Sequence, residues 1–213
     1  MLRRTSTLAL LFSFTLSAVI IDRIAVRVGN AIIKDSDIDR IVRVTEFLND
    51  EPLNLGNKLR RDAAKRLIDQ AFIRQEIQVG GYPRAGWDEA DTQIANLKKE
   101  HYKTQAAFNQ ALAHYGLVEP DLRFEFQWQL TVLRFVDLRF RPAVLVNDEE
   151  VEEYYRDHLA ALKKANPANS SLDALREQIH DILVGEKVNK LFFAWLDDHR
   201  KEGKVEIAEE SLR

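Results

Sequence analysis

DRIAVRVGNAIIKDSDID, residues Asp22 to Asp39, decides the fold. Ile24, Val26 and Val28 alternate with Arg23, Ala25 and Arg27, the period of two of a half-buried strand. Gly29-Asn30 supplies residues that tolerate positive φ, as a tight hairpin turn requires. Ala31-Ile32-Ile33-Lys34 returns as the partner strand. Ser36, with Asp39 three residues on, reads as a helix N-cap with an acidic residue near the positive helix end. A lone hairpin is marginal in water, so a third strand or a helical floor must come from elsewhere in the chain.

Working outward, most of the chain reads as helix. Ile38, Ile41, Val42, Phe47 and Leu48 sit at helical spacing, and the helix stops before Pro52. A longer helix spans Lys58 to Val79, with Ala63, Leu67, Ala71, Phe72, Ile73 and Ile77 as its apolar face, and Gly80-Gly81 ends it. Trp87-Asp88-Glu89 opens the next helix, which turns Ile94 and Leu97 inward. Thr104 caps a short one bearing Phe108, Ala111, Leu112 and Tyr115.

Glu119-Pro120-Asp121 starts the most apolar helix after the N-terminal leader. Leu122, Phe126, Leu130 and Leu133 form one stripe on it, and Phe124, Trp128, Val132 and Phe135 a second. Two stripes mean that the helix is covered on two sides or that one side waits for a partner.

Asn147 caps a helix whose first turn is Asp148-Glu149-Glu150 and whose buried side carries Val151, Tyr154, Tyr155, Leu159 and Leu162. KKANPANSS, residues 163–171, is a polar break with a proline in its middle. The last helix runs from Leu172 to Lys201, with Gly203 as its C′ residue. Lys204-Val205-Glu206-Ile207 then alternates like a short strand, the candidate third strand for the hairpin.

The 213 residues suit one or two domains, and a content of 46% hydrophobic and 31% charged residues suits a folded chain. The net charge of -3 arises from 31 basic and 34 acidic residues, largely intermixed. A nucleic-acid footprint needs clustered positive charge. The densest basic run, KLRRDAAKR at Lys58 to Arg66, is interrupted by Asp62 and reads as a solvated helix face. The absence of cysteine excludes disulfides, thiol catalysis, thiolate metal sites and a lipidated-cysteine anchor.

Arg3 and Arg4, followed by an apolar run from Leu8 to Phe14 that continues to Ile21, look like a secretory signal peptide over residues 1–18. Cleavage falls after Ala18 or after Ser17. The competing reading is an uncleaved membrane anchor, although fourteen residues of helix reach only about 21 Å, short of the ~30 Å hydrocarbon core.

No catalytic set emerges. The glycines are scattered near helix ends, so no phosphate-binding loop is present. The five histidines, His101, His114, His158, His180 and His199, are never paired at i, i+4, and no GxSxG elbow occurs. Asp197, Asp198 and His199 are consecutive, and consecutive helical residues point in different directions. The residues alone describe a binding protein.

VIIDRIAVRVGNAIIKDSDID, residues 19–39, resembles the mature N-terminus of SurA-type periplasmic chaperones, with its apolar pair, short strand, Asn-containing turn, second strand and acidic helix start. LIDQAFIRQEIQVGGY is similar to that family's second helix. The segment from Ala106 to Arg141 is similar to its later helices, and VNDEEVEEYYRDH to the helix leading into its parvulin domain. LREQIHDILVGEKVNKLFFAWLDDHRKEGKVEI resembles the C-terminal helix and strand that return to the N-terminal part. Relatives carry one or two parvulin-type prolyl isomerase domains of about a hundred residues, the size of a small domain. Here only KKANPANSS occupies that place, so the resemblance implies the chaperone module without its isomerase.

The expectations are then definite. The fold is mainly α, a SurA-like multi-helix chaperone domain over residues 19–213 with a small antiparallel sheet made by the N-terminal hairpin and a C-terminal strand. Residues 19–162 form its N-terminal helical part, 163–171 a loop, and 172–207 the closing helix and strand. The resemblance implies an ATP-independent holdase in the periplasm that binds unfolded outer-membrane or secreted polypeptides, needs no cofactor or metal, binds no nucleic acid and is not inserted in the membrane once the leader is removed. The alternatives are a prolyl isomerase with an unrecognised site and a membrane-anchored scaffold. A helical cradle with exposed apolar surface suits unfolded clients, and its candidate residues are Phe108, Tyr115, Phe124, Trp128, Val132 and Phe135.

Overall fold

The structure is a computed structural model that describes residues 22–165, 169–208 and 210. The leader, the start of the resemblance stretch at residues 19–21 and the centre of the KKANPANSS loop lie outside the described residues. Two strands, β1 (Ile24–Val28) and β2 (Ala31–Lys34), are followed by α1 (Asp35–Leu48), α2 (Asn57–Gly80), α3 (Trp87–His101), α4 (Gln105–His114) and α5 (Glu119–Phe140). A turn of 3-10 helix leads into α6 (Asp148–Ala165), α7 (Leu172–Glu202) and β3 (Val205–Ile207). The fold is mainly helical with one three-stranded antiparallel sheet, in the order β2-β1-β3.

The sheet closes as the alternation of Lys204 to Ile207 leads one to expect: Val205 pairs with Val28, Glu206 with Arg27 and Ile207 with Val26. The hairpin departs from simple alternation. Its register shifts between Ile24 and Val26, so Ala25 is fully buried and Ile24 faces outward. Such a bulge places two residues opposite one and turns a strand on its axis. Of the turn residues only Gly29 takes positive φ, at 55°, and its N–H donates to Lys204 O at 3.0 Å, so the turn is itself tied to the third strand.

The first helix begins two residues earlier than the Ser36 cap implies. Lys34 is the N-cap residue, and its N–H donates to Asp37 Oδ2 at 3.0 Å. Ser36 lies in the first turn, where its hydroxyl donates to Asp22 Oδ2 at 2.5 Å. A carboxylate three residues inside a helix can reach back to an unpaired backbone N–H, and Asp37 does so in place of a serine cap.

Three apolar clusters run through the molecule. The largest joins the sheet to α1, α2 and the second halves of α5 and α7, around Val26, Ile38, Phe72, Trp128, Phe135 and Phe192. A second lies between the end of α1, α3, α4 and the start of α5, around Phe47, Ile94, Phe108 and Leu122. The third is confined to α6 and the first half of α7, around Val151, Leu162, Leu175 and Ile179. One helix, α7, therefore serves two cores in succession, which is why its apolar positions fit no single stripe.

Gly203 follows α7 as expected, but not for a left-handed turn: its backbone is extended, at φ -71° and ψ 139°. The need is space. A Cβ there would lie 2.5 Å from two Phe72 ring atoms and 2.6 Å from His199 O. Overpacking of this kind costs about 1–3 kcal/mol. Gly203→Ala is therefore expected to lower stability by about 1–2 kcal/mol in urea denaturation with an unchanged m-value. An unchanged midpoint would mean that Phe72 swings aside freely.

Candidate functional site

Helices α2, α5 and α7 leave an open groove of about 440 Å³ between them. Each helix contributes residues at spacings of three, four and seven, one face apiece. Arg66, Asp69, Gln70 and Ile73 come from α2. Glu125, Trp128, Gln129, Val132 and Leu133 come from α5, and Phe192, Phe193, Leu196 and Arg200 from α7. The floor is apolar and continuous with the largest core. The rim is unusual: Leu133 is 68% exposed and Phe193 is 55% exposed.

Charged residues frame the opening. Arg200 grips Asp69 with two bonds, Nε to Oδ1 at 2.7 Å and Nη2 to Oδ2 at 2.6 Å, which ties α7 to α2. The hydrogen bond from Arg200 to Asp69, outweighing the cost of burial, holds the guanidinium still more firmly protonated than usual. Arg66 donates to Thr45 Oγ1 at 2.8 Å and stands 3.8 Å from Glu125 Oε1. The Arg74 guanidinium sits 3.9 Å from the centre of the Trp128 ring, a cation–π contact that fixes the indole. Burial, reinforced by the neighbouring Arg84, lowers the pKa of Arg74.

The sequence-derived candidates separate into four groups. Trp128 and Val132 line the groove. Phe135 and Phe108 do not: both are completely buried, Phe135 in the largest core and Phe108 in the second. As cradle residues they are corrected to core residues, because each sits on the side of its helix that faces other helices. Tyr115 is half-buried; its ring packs edge-on to Phe47 with centroids 5.6 Å apart and its hydroxyl donates to Glu51 O at 2.8 Å, a structural brace. Phe124 is exposed, but on the α3 side, edge-on to Trp87 at 5.3 Å and apart from the groove.

Several groove residues were not singled out from the sequence. The signal for Phe193 was present in Leu191-Phe192-Phe193: three successive large apolar residues on a helix cover too wide an arc to be buried together, and Phe192 is buried while Phe193 is not. Gln70 and Glu125 were not singled out, because a polar residue on a helix reads as outward even when its sequence neighbours are apolar, as Phe124 and Phe126 are beside Glu125. Among the described residues no helix is long and apolar enough to cross a membrane, and no three His, Asp or Glu side chains gather as a metal site requires. Comparison with known proteins gave no matching family model and no matching curated protein.

Proposed function

We propose that the protein is an ATP-independent holding chaperone that takes apolar segments of unfolded polypeptides into the groove between α2, α5 and α7. The observation that carries this reading is the exposure of Leu133 and Phe193 at the rim of an apolar floor. Exposed apolar surface in a concave, charge-framed site marks a place of interaction. The resemblance of the chain to SurA-type chaperones supports the same reading. It implies unfolded outer-membrane or secreted proteins as clients, a periplasmic location once the leader has been removed, and no isomerase activity. A groove of this kind can work by contact alone, the charged frame keeping the complex soluble.

The test is suppression of aggregation of a denatured outer-membrane protein, beside the variant Leu133→Ser/Phe193→Ser. The variant is expected to melt as the parent does, since both side chains already face water, and to hold the client about tenfold more weakly, ~1.4 kcal/mol. Equal protection by both proteins would remove the groove from the mechanism. Catalysis of a proline-limited refolding reaction at substoichiometric protein would overturn the pure holdase reading, because the uncatalysed step takes tens of seconds or longer.

A further inference from the structure

We propose that α6 and the first half of α7 form a movable arm, hinged at Gly185 and held in its present setting by Lys187. The hinge stands apart from the holdase reading, since it needs no client.

The molecule divides at this point. The third apolar cluster, around Val151, Leu162, Leu175 and Ile179, is confined to α6 and the first half of α7. Among the described residues α6 packs extensively on α7 alone. The largest core takes up α7 from Val184 onward, through Val188, Phe192 and Leu196. That second half is anchored again by the two bonds from Arg200 to Asp69 on α2. A bend between the halves therefore moves the arm and leaves the rest of α7 in place. Helix α6 has 18 residues and is about 27 Å long, so a small bend at its base becomes a large displacement at its far end.

Gly185 lies where α7 passes from one cluster to the other, between Leu183 on the third and Val188 in the largest. Glycine inside a helix weakens it relative to alanine. Nothing in the packing asks for one here: a Cβ at Gly185 would meet no atom within 4 Å. Gly203 is the contrast, where Phe72 leaves no room for a side chain. A residue that weakens the helix with no return in packing, set between two cores, marks where the helix bends most easily. The second connection to the arm is pliable at the same level. After the 3-10 turn Arg141–Ala143, Val144 is extended, and residues 144–147 belong to no helix or strand. Val146 in that linker packs against both clusters, which makes it the pivot.

Lys187 holds the junction closed. Two residues past Gly185, its Nζ donates to Leu145 O at 2.7 Å and to Glu150 Oε2 at 2.8 Å, and stands 2.6 Å from Glu150 Oε1. Leu145 is in the linker and Glu150 in the first turn of α6. One ammonium on the anchored half of α7 thus clasps both the linker and the base of the arm. Charge-assisted bonds are stronger than neutral ones, but both side chains are partly exposed, so water can replace each partner and the clasp can open.

The experiment exploits the absence of cysteine from the chain. Nitroxide labels on Ala160→Cys in α6 and Lys65→Cys in α2, both exposed positions, report the distance from arm to body by double electron–electron resonance in the full protein. The labelled parent is expected to give a main peak with a small displaced shoulder. Lys187→Met, which removes the ammonium and keeps an apolar stem, is expected to raise the share of the shoulder about threefold or more. Gly185→Ala is expected to suppress the shoulder, alone and in the Lys187→Met background, because alanine fits the straight helix and stiffens it. Circular dichroism checks that each variant keeps its helix content. A single unchanged peak in the parent and in Lys187→Met overturns the proposal, and so does a shoulder that Gly185→Ala leaves intact. Should Lys187→Met lose helix, Gly185→Ala alone decides: loss of the parent's shoulder supports the hinge, and an identical distribution overturns it.

Discussion

Phe135→Ala is expected to remove about 3–5 kcal/mol of folding free energy, the range for truncating a buried phenylalanine without collapse of the site. That is a large share of a typical total of about 5–15 kcal/mol. Phe135 is completely buried and stands edge-on to three rings at once: Tyr82 at 5.1 Å, Phe140 at 5.9 Å and Trp195 at 5.8 Å. These rings come from the loop after α2, the end of α5 and α7, so the cavity left behind would open at the meeting point of three elements. The control is Phe124→Ala on the same helix. Phe124 is 57% exposed, and among the described residues its one ring partner is Trp87, itself 43% exposed, so its removal should cost less than about 1 kcal/mol. Urea denaturation of both variants with a common m-value measures the difference. A cost below about 1 kcal/mol for Phe135→Ala would mean that the three rings close over the gap.

That pair also shows how much of the site the sequence carried. Phe124, Trp128, Val132 and Phe135 form one stripe by spacing alone, yet one is solvent-exposed, two line a groove and one is sealed in the core. Helical periodicity gives the angle of a side chain about its own axis. It does not say which neighbour stands at that angle, or whether two neighbours part there. The groove lies where α2, α5 and α7 come together, a matter of relative placement across more than fifty residues of sequence. For the same reason the buried Glu125 and Gln70 were invisible: a polar residue is read as outward until a second helix is known to lie over it.

The fold was more legible because its signals are local. Thr104 as a cap is confirmed by Ala107 N–H donating to Thr104 Oγ1 at 3.1 Å. Asn147 is confirmed by Glu150 N–H donating to Asn147 Oδ1 at 2.9 Å. The failures are local too, and each is a competition between equivalent groups. The helix starts at Lys34 instead, whose N–H is taken by the Asp37 carboxylate, while Ser36, inside the first turn, gives its hydroxyl to Asp22. The bulge at Ala25 exchanged Ile24 for a smaller residue inside, which strict alternation cannot express.

Glu206→Pro is expected to destabilise the protein by about 3 kcal/mol, and the argument runs through the ladder between β1 and β3. Ala208 N–H donates to Ala25 O at 2.8 Å, and Gly29 N–H donates to Lys204 O at 3.0 Å. Between these lie the partners Val26 with Ile207, Arg27 with Glu206 and Val28 with Val205. Hydrogen-bonded and non-bonded pairs alternate along an antiparallel ladder, which makes Arg27 and Glu206 the bonded pair in the middle. Proline at Glu206 removes that N–H, worth about 1 kcal/mol, and leaves the Arg27 carbonyl without its donor at a further ~1–2 kcal/mol. The loss also loosens Val205, which packs on the largest core. At Ile207 the N–H points away from β1, toward the free edge of the sheet, where proline is tolerated. Ile207→Pro should therefore cost less than about 1 kcal/mol even though it sits one residue away. Glu206→Ala, which keeps the N–H and loses only an exposed pairing with Lys204, should cost still less. If Glu206→Pro and Ile207→Pro unfold at the same urea concentration, the register that joins the hairpin to the C-terminal strand is wrong. If Glu206→Pro alone falls, the strand is a structural closure of the hairpin, and the two distant segments of the chain stand or melt together.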